Sequence, residues 1–198
     1  MTAGNTNPHL PVALGITGAS GSVYGARLLQ CLTAAGIPVH LVVSEAARIV
    51  IKEELGVSVR ELAAPELVTL HGNGEIAAEI SSGSYRLRGT VICPCSANSI
   101  GAIAQGVGDN LIARIGAVAL KERWPFIVVP RETPYSAPVL ENMKLLALYG
   151  AHVLPASPSF YRRPATIEEL VDTIVDRILV MLGLDPLLPP WTGPSQRK

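Results

Sequence analysis

Residues 91–134, VICPCSANSIGAIAQGVGDNLIARIGAVALKERWPFIVVPRETP, decide the fold of this chain. They begin with an apolar run that stops at Pro94, continue with apolar residues at helical spacing from Ile103 to Val118, and reach a second apolar run, Phe126 to Val129. This order is typical of two parallel strands joined by helix. Polar residues follow both runs, and ligands of open parallel sheets bind beyond the carboxyl ends of the strands. The stretch therefore predicts a ligand site at that edge.

The rest of the chain repeats the alternation of strand and helix. The pattern predicts further strands at Val12 to Ile16, Val39 to Val43 and Val153–Leu154, and further helices at Glu45 to Leu55, at Pro138 to Tyr149 and after a capping Thr166 with Glu169 completing a capping box. No hairpin signal occurs, so we expect an α/β fold with a doubly wound parallel sheet, Rossmann- or flavodoxin-like, in a single domain. We place the domain at residues 12–184, between a disordered N-terminal tail at 1–11 and a proline-rich C-terminal tail at 185–198. For residues 56–88 the sequence pattern predicts no clear helix or strand.

Composition narrows the functional classes. Of the 198 residues 48% are apolar and only 16% are charged, with 16 Lys and Arg against 16 Asp and Glu. This balance provides no basic field for nucleic acid or for an anionic membrane surface, so we expect a small ligand. Soluble domains average about 25% charged residues, and the deficit predicts a homo-oligomer that hides part of the surface. Neither a signal peptide nor a membrane span is recognisable, which predicts a cytoplasmic protein.

Cysteine and histidine positions predict no metal site. Cys93 and Cys95 are too close along one strand for an ordinary disulfide. We expect Cys31 and Cys93 to be buried as small apolar residues, whereas Cys95, beside the turn, could also line a pocket. None of the histidines has another ligand at a metal-binding spacing, so we expect all four to be structural: His9, His40, His71 and His152.

A glycine-rich turn follows the first strand, with Gly15, Gly18 and Gly21 three residues apart. The N–H groups at the start of the following helix, together with the Ser20 and Ser22 hydroxyls, suit a phosphate or another electron-rich ligand edge. The spacing is not the dinucleotide fingerprint G-x-G-x-x-G, and a tight structural turn explains it equally well.

Five charged or polar positions leave alternatives open. After the second strand, Glu45 could bind a ribose, and Ser44 could contact a ring system. Glu53 and Glu54 end the next helix, where the helix dipole disfavours negative charge, so either one has a further role or both are simply solvated. Arg177, between apolar positions of the last helix, either snorkels to solvent or points a cation into a site.

Several sequence blocks together resemble one family, the UbiX-type flavin prenyltransferases, flavoproteins formerly described as aromatic acid decarboxylases. The blocks are GASG (18–21), CPCS (93–96), LKER (120–123), PRETP (130–134) and PSFYRRP (158–164). The resemblance implies reduced FMN as cofactor, dimethylallyl phosphate as substrate, and bonds to flavin N5 and C6 that give prenylated FMN for a UbiD-type decarboxylase. It also implies a homododecamer with active sites between subunits, and no metal.

The resemblance assigns roles position by position. FMN binding is implied for Gly18, Ala19, Ser20, Ser44, Ser96, Ala97, Asn98, Ser99 and Arg131. Binding of the prenyl phosphate is implied for Arg114, Lys121, Tyr161 and Arg177. Catalytic roles are implied for Ser20, Glu54, Lys121 and Glu132.

The implied reaction gives these residue types a chemical reason. Cleavage of a carbon–oxygen bond leaves a phosphate anion, which cations and the Tyr161 hydroxyl can stabilise. Ring closure requires a proton to leave, and Glu132 or the released phosphate is the candidate base. Ser20 could support proton movement near the flavin.

Two alternatives stand beside this interpretation. Ala97-Asn98-Ser99 is similar to the S-A-N-T segment of FMN-dependent cysteine-type decarboxylases, although the PRETP and SFYRRP blocks oppose that class. A non-catalytic flavin carrier is the other alternative, but the charged residues that it would have lost are present. Ala117 and Trp124 replace common family residues, and we expect these changes to affect subunit packing rather than chemistry.

Overall fold

Six short apolar segments form the sheet. The computed structural model describes residues 10–193, and its strands are β1 (Val12–Ile16), β2 (Val39–Val43), β3 (Val68–Gly72), β4 (Gly89–Cys95), β5 (Phe126–Pro130) and β6 (His152–Val153). Every residue of β1, β2, β4 and β5 is buried, because helices cover both faces of the sheet. Most of the predicted N-terminal tail (1–9) and the end of the predicted C-terminal tail (194–198) lie outside the described residues.

All strand pairs are parallel, and the strand order is β3-β2-β1-β4-β5-β6. The predicted doubly wound α/β fold is confirmed, and the order is that of the Rossmann fold. Between β3 and β4 the chain crosses to the other side of β1. The loops after β1 and β4 therefore flank the point where the strand order reverses, at the carboxyl edge of the sheet.

Seven helices connect or follow the strands in the described part of the chain. They are α1 (Ser22–Ala34), α2 (Glu45–Leu55), α3 (Val59–Leu62), α4 (Ala97–Ala104), α5 (Leu111–Glu122), α6 (Ala137–Leu148) and α7 (Ile167–Met181), with a 3-10 turn at Glu79–Ser81. The N-cap side chains of Ser44, Asn110 and Thr166 each accept a hydrogen bond from the backbone N–H three residues on, which satisfies one free donor of each helix.

The helices form two layers, and strand residues alternate between them. One core lies under α1, α2 and α7 and includes Leu14 and Leu41. The other lies under α4, α5 and α6 and includes Ile92 and Val128. Within residues 10–193, no helix combines the length and the hydropathy of a membrane span.

Three local expectations differ from the structure. The helical spacing from Ile103 to Val118 belongs to two helices, because the polar and glycine-containing loop 105–110 separates α4 from α5. Residues 56–88 contain α3 and β3. The sequence pattern does not predict β3, because this edge strand is only partly buried. The predicted capping box at α7 is only half formed, since the Glu169 carboxylate accepts from the Ala165 N–H and not from the N-cap residue.

Candidate active site

Hydrogen bonds join the loops after β1, β2 and β4 at the carboxyl edge. The buried Thr17 hydroxyl donates to the Pro94 carbonyl at 2.9 Å, and the Ser96 N–H donates to the Thr17 oxygen at 2.7 Å. The Ser44 N–H donates to the Ile16 carbonyl at 3.0 Å. The structure thus brings two of the predicted flavin-binding serines to one edge. Sequence reasoning missed Thr17, which connects them.

Glycine allows the loop after β1 to be compact. A Cβ on Gly18 would lie 2.5 Å from the Ala46 Cβ, closer than real Cβ atoms approach, so this loop packs directly on α2. Gly21 has a φ angle of +97°, a conformation that favours glycine. Ala19 is buried, whereas Ser20 beside it is exposed. The loop therefore presents Ser20 and backbone groups at the edge.

Glu54 reaches from the end of α2 to the N-terminus of α1. Its carboxylate accepts hydrogen bonds from the Gly21 N–H at 3.0 Å, the Ser22 N–H at 2.8 Å and the Ser22 hydroxyl at 2.7 Å. Burial alone would raise the pKa of this carboxyl, but the hydrogen bonds, including one from the Ser20 side chain, outweigh burial and lower the pKa below its ordinary value. Glu54 thus uses these N–H groups, which favours the tight-turn interpretation over the phosphate cradle.

Arg131 ties the loop after β5 to the loop after β1. Its Nε donates to the Ser20 carbonyl at 2.9 Å. The neighbouring Glu132 is exposed, and its carboxylate accepts from the Thr133 N–H at 3.0 Å. Arg131, a predicted flavin ligand, thus contacts the Ser20 backbone, and Glu132, a predicted acid–base residue, follows it in the same loop.

Ser44 and Ser96 also cap helices. The Ser44 hydroxyl oxygen accepts from the Ala47 N–H at 3.2 Å, and the Ser96 oxygen accepts from the Ser99 N–H at 3.4 Å and lies 3.1 Å from the Ser99 oxygen. The N-termini of α2 and α4 consequently point toward the carboxyl edge, where their dipoles favour an anionic or electron-rich ligand. Residues 97–99 are exposed or partly exposed, so the first turn of α4 is open to such a ligand.

The predicted phosphate ligands on α5 are spread along that helix. Its first N–H donates to the Asn73 carbonyl, just beyond the carboxyl end of β3, and the helix runs from there toward the amino edge of the sheet. Arg114, in the first turn, donates from Nε to the Ser81 carbonyl at 3.3 Å. Lys121 lies seven residues beyond Arg114, about 10.5 Å along the helix at 1.5 Å per residue, and pairs with Glu122 at 3.0 Å. Lys121 is therefore distant from the flavin loops of its own chain.

Tyr161 lies on the loop between β6 and α7. This loop is attached to α7 by a hydrogen bond of 3.3 Å from the Ser159 N–H to the Thr173 hydroxyl oxygen. Tyr161 is 60% exposed, and its ring packs edge-on against Trp191 with 5.8 Å between centroids. Trp191 belongs to the predicted C-terminal tail, so the described part of that tail packs against the domain here.

Arg177 lies in the second half of α7 and is exposed. The end of this helix reaches the amino edge of the sheet, where Arg88, directly before β4, donates to the Leu182 carbonyl at 3.4 Å. Within a single chain, Arg177 therefore snorkels to solvent, which is one of the two interpretations of its position. Most of the predicted site residues therefore form two groups. Lys121 and Arg177 lie toward the amino edge. The group at the carboxyl edge consists of Gly18–Ser20, Ser44, Glu54, residues 96–99, Arg131 and Glu132.

The three cysteines are free and buried. The expectation of burial is confirmed for Cys31 and Cys93, and Cys95 is likewise only 1% exposed, so it does not line an open pocket. Burial raises the pKa of the Cys93 and Cys95 thiols far above the ordinary value, which leaves both without nucleophilic character near neutral pH.

Two of the four histidines, expected to be structural, meet in the folded chain. The His40 Nδ1 atom lies 2.9 Å from the His71 Nε2 atom. They were not predicted to meet because β3, which carries His71 alongside β2, was not recognised in the sequence.

Comparisons with known proteins identify relatives that match nearly the whole chain. Residues 2–179 match the family model described as Flavoprotein. The flavin prenyltransferase UbiX of Pseudomonas aeruginosa is 42% identical over 194 residues, which cover 91% of this chain and 93% of the relative. Its counterpart in Aquifex aeolicus is 40% identical over 186 residues, which cover 92% of this chain and 98% of the relative.

Two solved structures extend the likeness to the backbone. A crystal structure of AnUbiX in complex with FMN and dimethylallyl pyrophosphate superposes with a TM-score of 0.90 at 36% identity, covering 93% of this chain and 98% of that one. A dodecameric FMN-dependent UbiX-like decarboxylase from Escherichia coli O157:H7 has a TM-score of 0.88 at 38% identity, covering 93% and 100% of the two chains. On the strength of these matches across nearly its whole length, the chain belongs to the flavin prenyltransferase family of flavoproteins.

Proposed function

We propose that this chain joins reduced FMN to dimethylallyl phosphate through bonds at flavin N5 and C6, and that the prenylated FMN is passed to a UbiD-type decarboxylase. The observation that carries the proposal is the meeting of the Ser20, Ser44, Ser96 and Arg131 loops at the reversal of strand order. The named UbiX relatives, and the complex of AnUbiX with FMN and dimethylallyl pyrophosphate, support the identity of the reactants.

The donor groups at the carboxyl edge fit a flavin mononucleotide. Hydroxyls of Ser44 and Ser96, the N-termini of α2 and α4, and the Arg131 guanidinium offer donors and positive charge to a phosphate and to ring carbonyl groups. We assign FMN binding to Gly18, Ala19, Ser20, Ser44, Ser96, Ala97, Asn98, Ser99 and Arg131. Bound in reduced form, FMN supplies the electron-rich ring that accepts the five-carbon group.

We assign the phosphate of the donor to Arg114, Lys121, Tyr161 and Arg177. As the allylic carbon–oxygen bond breaks, the electron pair passes to the phosphate, and these cations with the Tyr161 hydroxyl stabilise the growing negative charge. Lys121 and Arg177 lie toward the amino edge of their own sheet, so the complete site needs these groups from a second copy of the chain.

Three residues at the carboxyl edge manage protons or hold the loop. Glu132, exposed beside Arg131, is the candidate base for the proton lost on ring closure, with the released phosphate as the other candidate. The Ser20 hydroxyl supports proton movement near the ring. The family resemblance implies a catalytic role for Glu54. Its hydrogen bonds to Ser20, Gly21 and Ser22 instead favour a positioning role, in which it fixes the loop that carries Ser20.

A homo-oligomer, and specifically a dodecamer, is the assembly that we propose. The described surface exposes many large apolar side chains, consistent with faces that contact other copies. They include Ile49, Ile76, Leu140, Leu148, Tyr149, Phe160, Ile167 and Trp191. The dodecameric relative shows that this fold supports such an assembly.

The decisive experiment is anaerobic incubation of the protein with reduced FMN and dimethylallyl phosphate, followed by mass spectrometry of the flavin. We expect one C5H8 unit to be added per flavin and one inorganic phosphate to be released. Arg177→Met should slow this conversion strongly, whereas Arg60→Met, a matched change of an exposed arginine on α3, should not. An unchanged flavin would refute the proposal, and release of carbon dioxide from a cysteinyl peptide would support the decarboxylase alternative.

A further inference from the structure

A pair of histidines and a glutamate meet beneath α5, outside the proposed flavin site. His40 on β2 and His71 on β3 project from the same face of the sheet as diagonal neighbours, since His71 pairs with Val42 in the register. Both imidazoles are only 6% exposed. Their Nδ1 and Nε2 atoms, at 2.9 Å, face each other and the Glu79 carboxylate, whose Oε1 lies 3.7 Å from His40 Nδ1. These three ligand atoms all lie within 4.8 Å of one another.

We propose that His40, His71 and Glu79 bind one divalent transition-metal ion of the zinc class, through His40 Nδ1, His71 Nε2 and a Glu79 oxygen. The ring nitrogens on the far sides already have oxygen partners. The Tyr85 hydroxyl lies 2.9 Å from His40 Nε2, and the Glu75 carboxylate lies 3.7 Å from His71 Nδ1. The Tyr85 hydroxyl is placed to orient a metal-bound His40 ring, because it holds the proton on the nitrogen that does not bind the metal.

The chemistry of the three ligands selects the kind of ion. Two imidazoles and one carboxylate suit zinc, cobalt or nickel, whereas magnesium and calcium prefer oxygen ligands. Both imidazoles would bind the ion in the neutral form, through a nitrogen lone pair. Zinc–nitrogen distances of about 2.0–2.1 Å and a tetrahedral angle separate two nitrogens by roughly 3.3 Å, so the rings need to part by only a few tenths of an ångström.

The position of Glu79 bears on how an ion would reach the site and on what the bound ion would connect. Its side chain is 50% exposed, which leaves a path from solvent to the two buried imidazoles. A bound ion would connect β2 and β3 to the 3-10 turn at Glu79–Ser81, whose Ser81 carbonyl accepts the Arg114 hydrogen bond. We therefore expect the ion to stabilise this part of the folded chain by mass action.

The test uses the full-length, tag-free protein after chelator treatment. Cobalt is titrated and followed by its visible absorption, and zinc binding is measured by isothermal titration calorimetry. We expect one ion per chain, a higher unfolding temperature with zinc, and at least about tenfold weaker binding in His71→Gln and in Glu79→Gln. His152→Gln, which removes an exposed histidine from β6, is the matched control and should bind like the parent.

Two outcomes would overturn the proposal. One is a parent protein that binds neither ion at millimolar concentration. The other is unchanged affinity in Glu79→Gln, because the proposal requires the Glu79 carboxylate as a ligand. Circular dichroism of His71→Gln separates loss of the ligand from loss of the fold. None of these readouts depends on FMN or prenyl transfer, so the metal proposal stands or falls independently of the proposed function.

Discussion

Replacement of Glu54 should destabilise the folded chain more than its exposed position suggests. Gly21, the N-cap of α1, has no side chain that could accept a hydrogen bond, and the Glu54 carboxylate does so from the adjacent N–H groups. Loss of an N-cap acceptor costs about 0.5–2 kcal/mol. Charge-assisted hydrogen bonds are worth about 1.5–3 kcal/mol when buried, but Glu54 is largely solvated, so we discount that range. For Glu54→Ala we expect a loss of about 1–2 kcal/mol, and for Glu54→Gln about half of that.

The assay is thermal unfolding, with Glu53→Ala as the neighbouring control. For a domain of this size, 1 kcal/mol shifts the unfolding temperature by about 2–4 °C. Because the pKa of Glu54 is lowered in the folded state, its stabilisation is full above its ordinary pKa of 4.5 and is lost as the pH falls through the folded-state pKa. The gap between parent and Glu54→Gln should therefore close in acid. Equal unfolding temperatures for Glu54→Ala and Glu53→Ala at pH 7, or a gap independent of pH, would refute this reasoning.

Three further predictions concern the proposed flavin and phosphate groups. Gly18→Ala forces a new Cβ against Ala46 and should cost about 1–3 kcal/mol of stability and weaken FMN binding, measured by flavin fluorescence titration; unchanged affinity would show that the loop does not shape the site. Arg131→Met removes the hydrogen bond to the loop after β1 and should weaken FMN binding about tenfold, about 1.4 kcal/mol, while Arg131→Lys should recover only part of it. Lys121→Met and Arg177→Met should each be nearly inactive alone, and mixed oligomers of the two should regain no activity, because one neighbouring copy supplies both cations to a site; activity at about a quarter of the sites would show that the two cations come from different copies.

The sequence predicted the sheet well because its central strands are buried on both faces. Val12–Ile16 and Val39–Val43 are short, mostly apolar and fully buried runs, which are typical of the middle of a parallel sheet. The edge strand β3 was missed because it has only five residues, of which only His71 is fully buried, so it lacks the apolar run that marks the central strands. Missing it concealed the contact between His40 and His71, which depends on pairing across strands and not on spacing along the chain.

The site was predicted only as far as each strand end could be located. Ser44 and Ser96 directly follow strands, so their convergence at one edge follows from the topology. The contact between Glu54 and the α1 N-terminus joins residues 33 positions apart, and no local pattern reveals it. The helix dipole disfavours a glutamate at the C-terminal end of a helix, and this was the local signal that Glu54 could have a further role.

The division of charge between the two edges of the sheet argues for a site built from more than one chain. At the carboxyl edge, Arg131 is accompanied by the carboxylates of Glu54 and Glu132, which leaves little net positive charge for the phosphate of a prenyl donor. Lys121 and Arg177 are exposed on α5 and α7, turned away from that edge within their own chain. A contact that places these cations of one copy over the carboxyl edge of another supplies the missing charge and covers exposed apolar surface at the same time. Such a contact joins different faces of identical chains, and it must close into a ring or shell to avoid open polymers, as a dodecamer does.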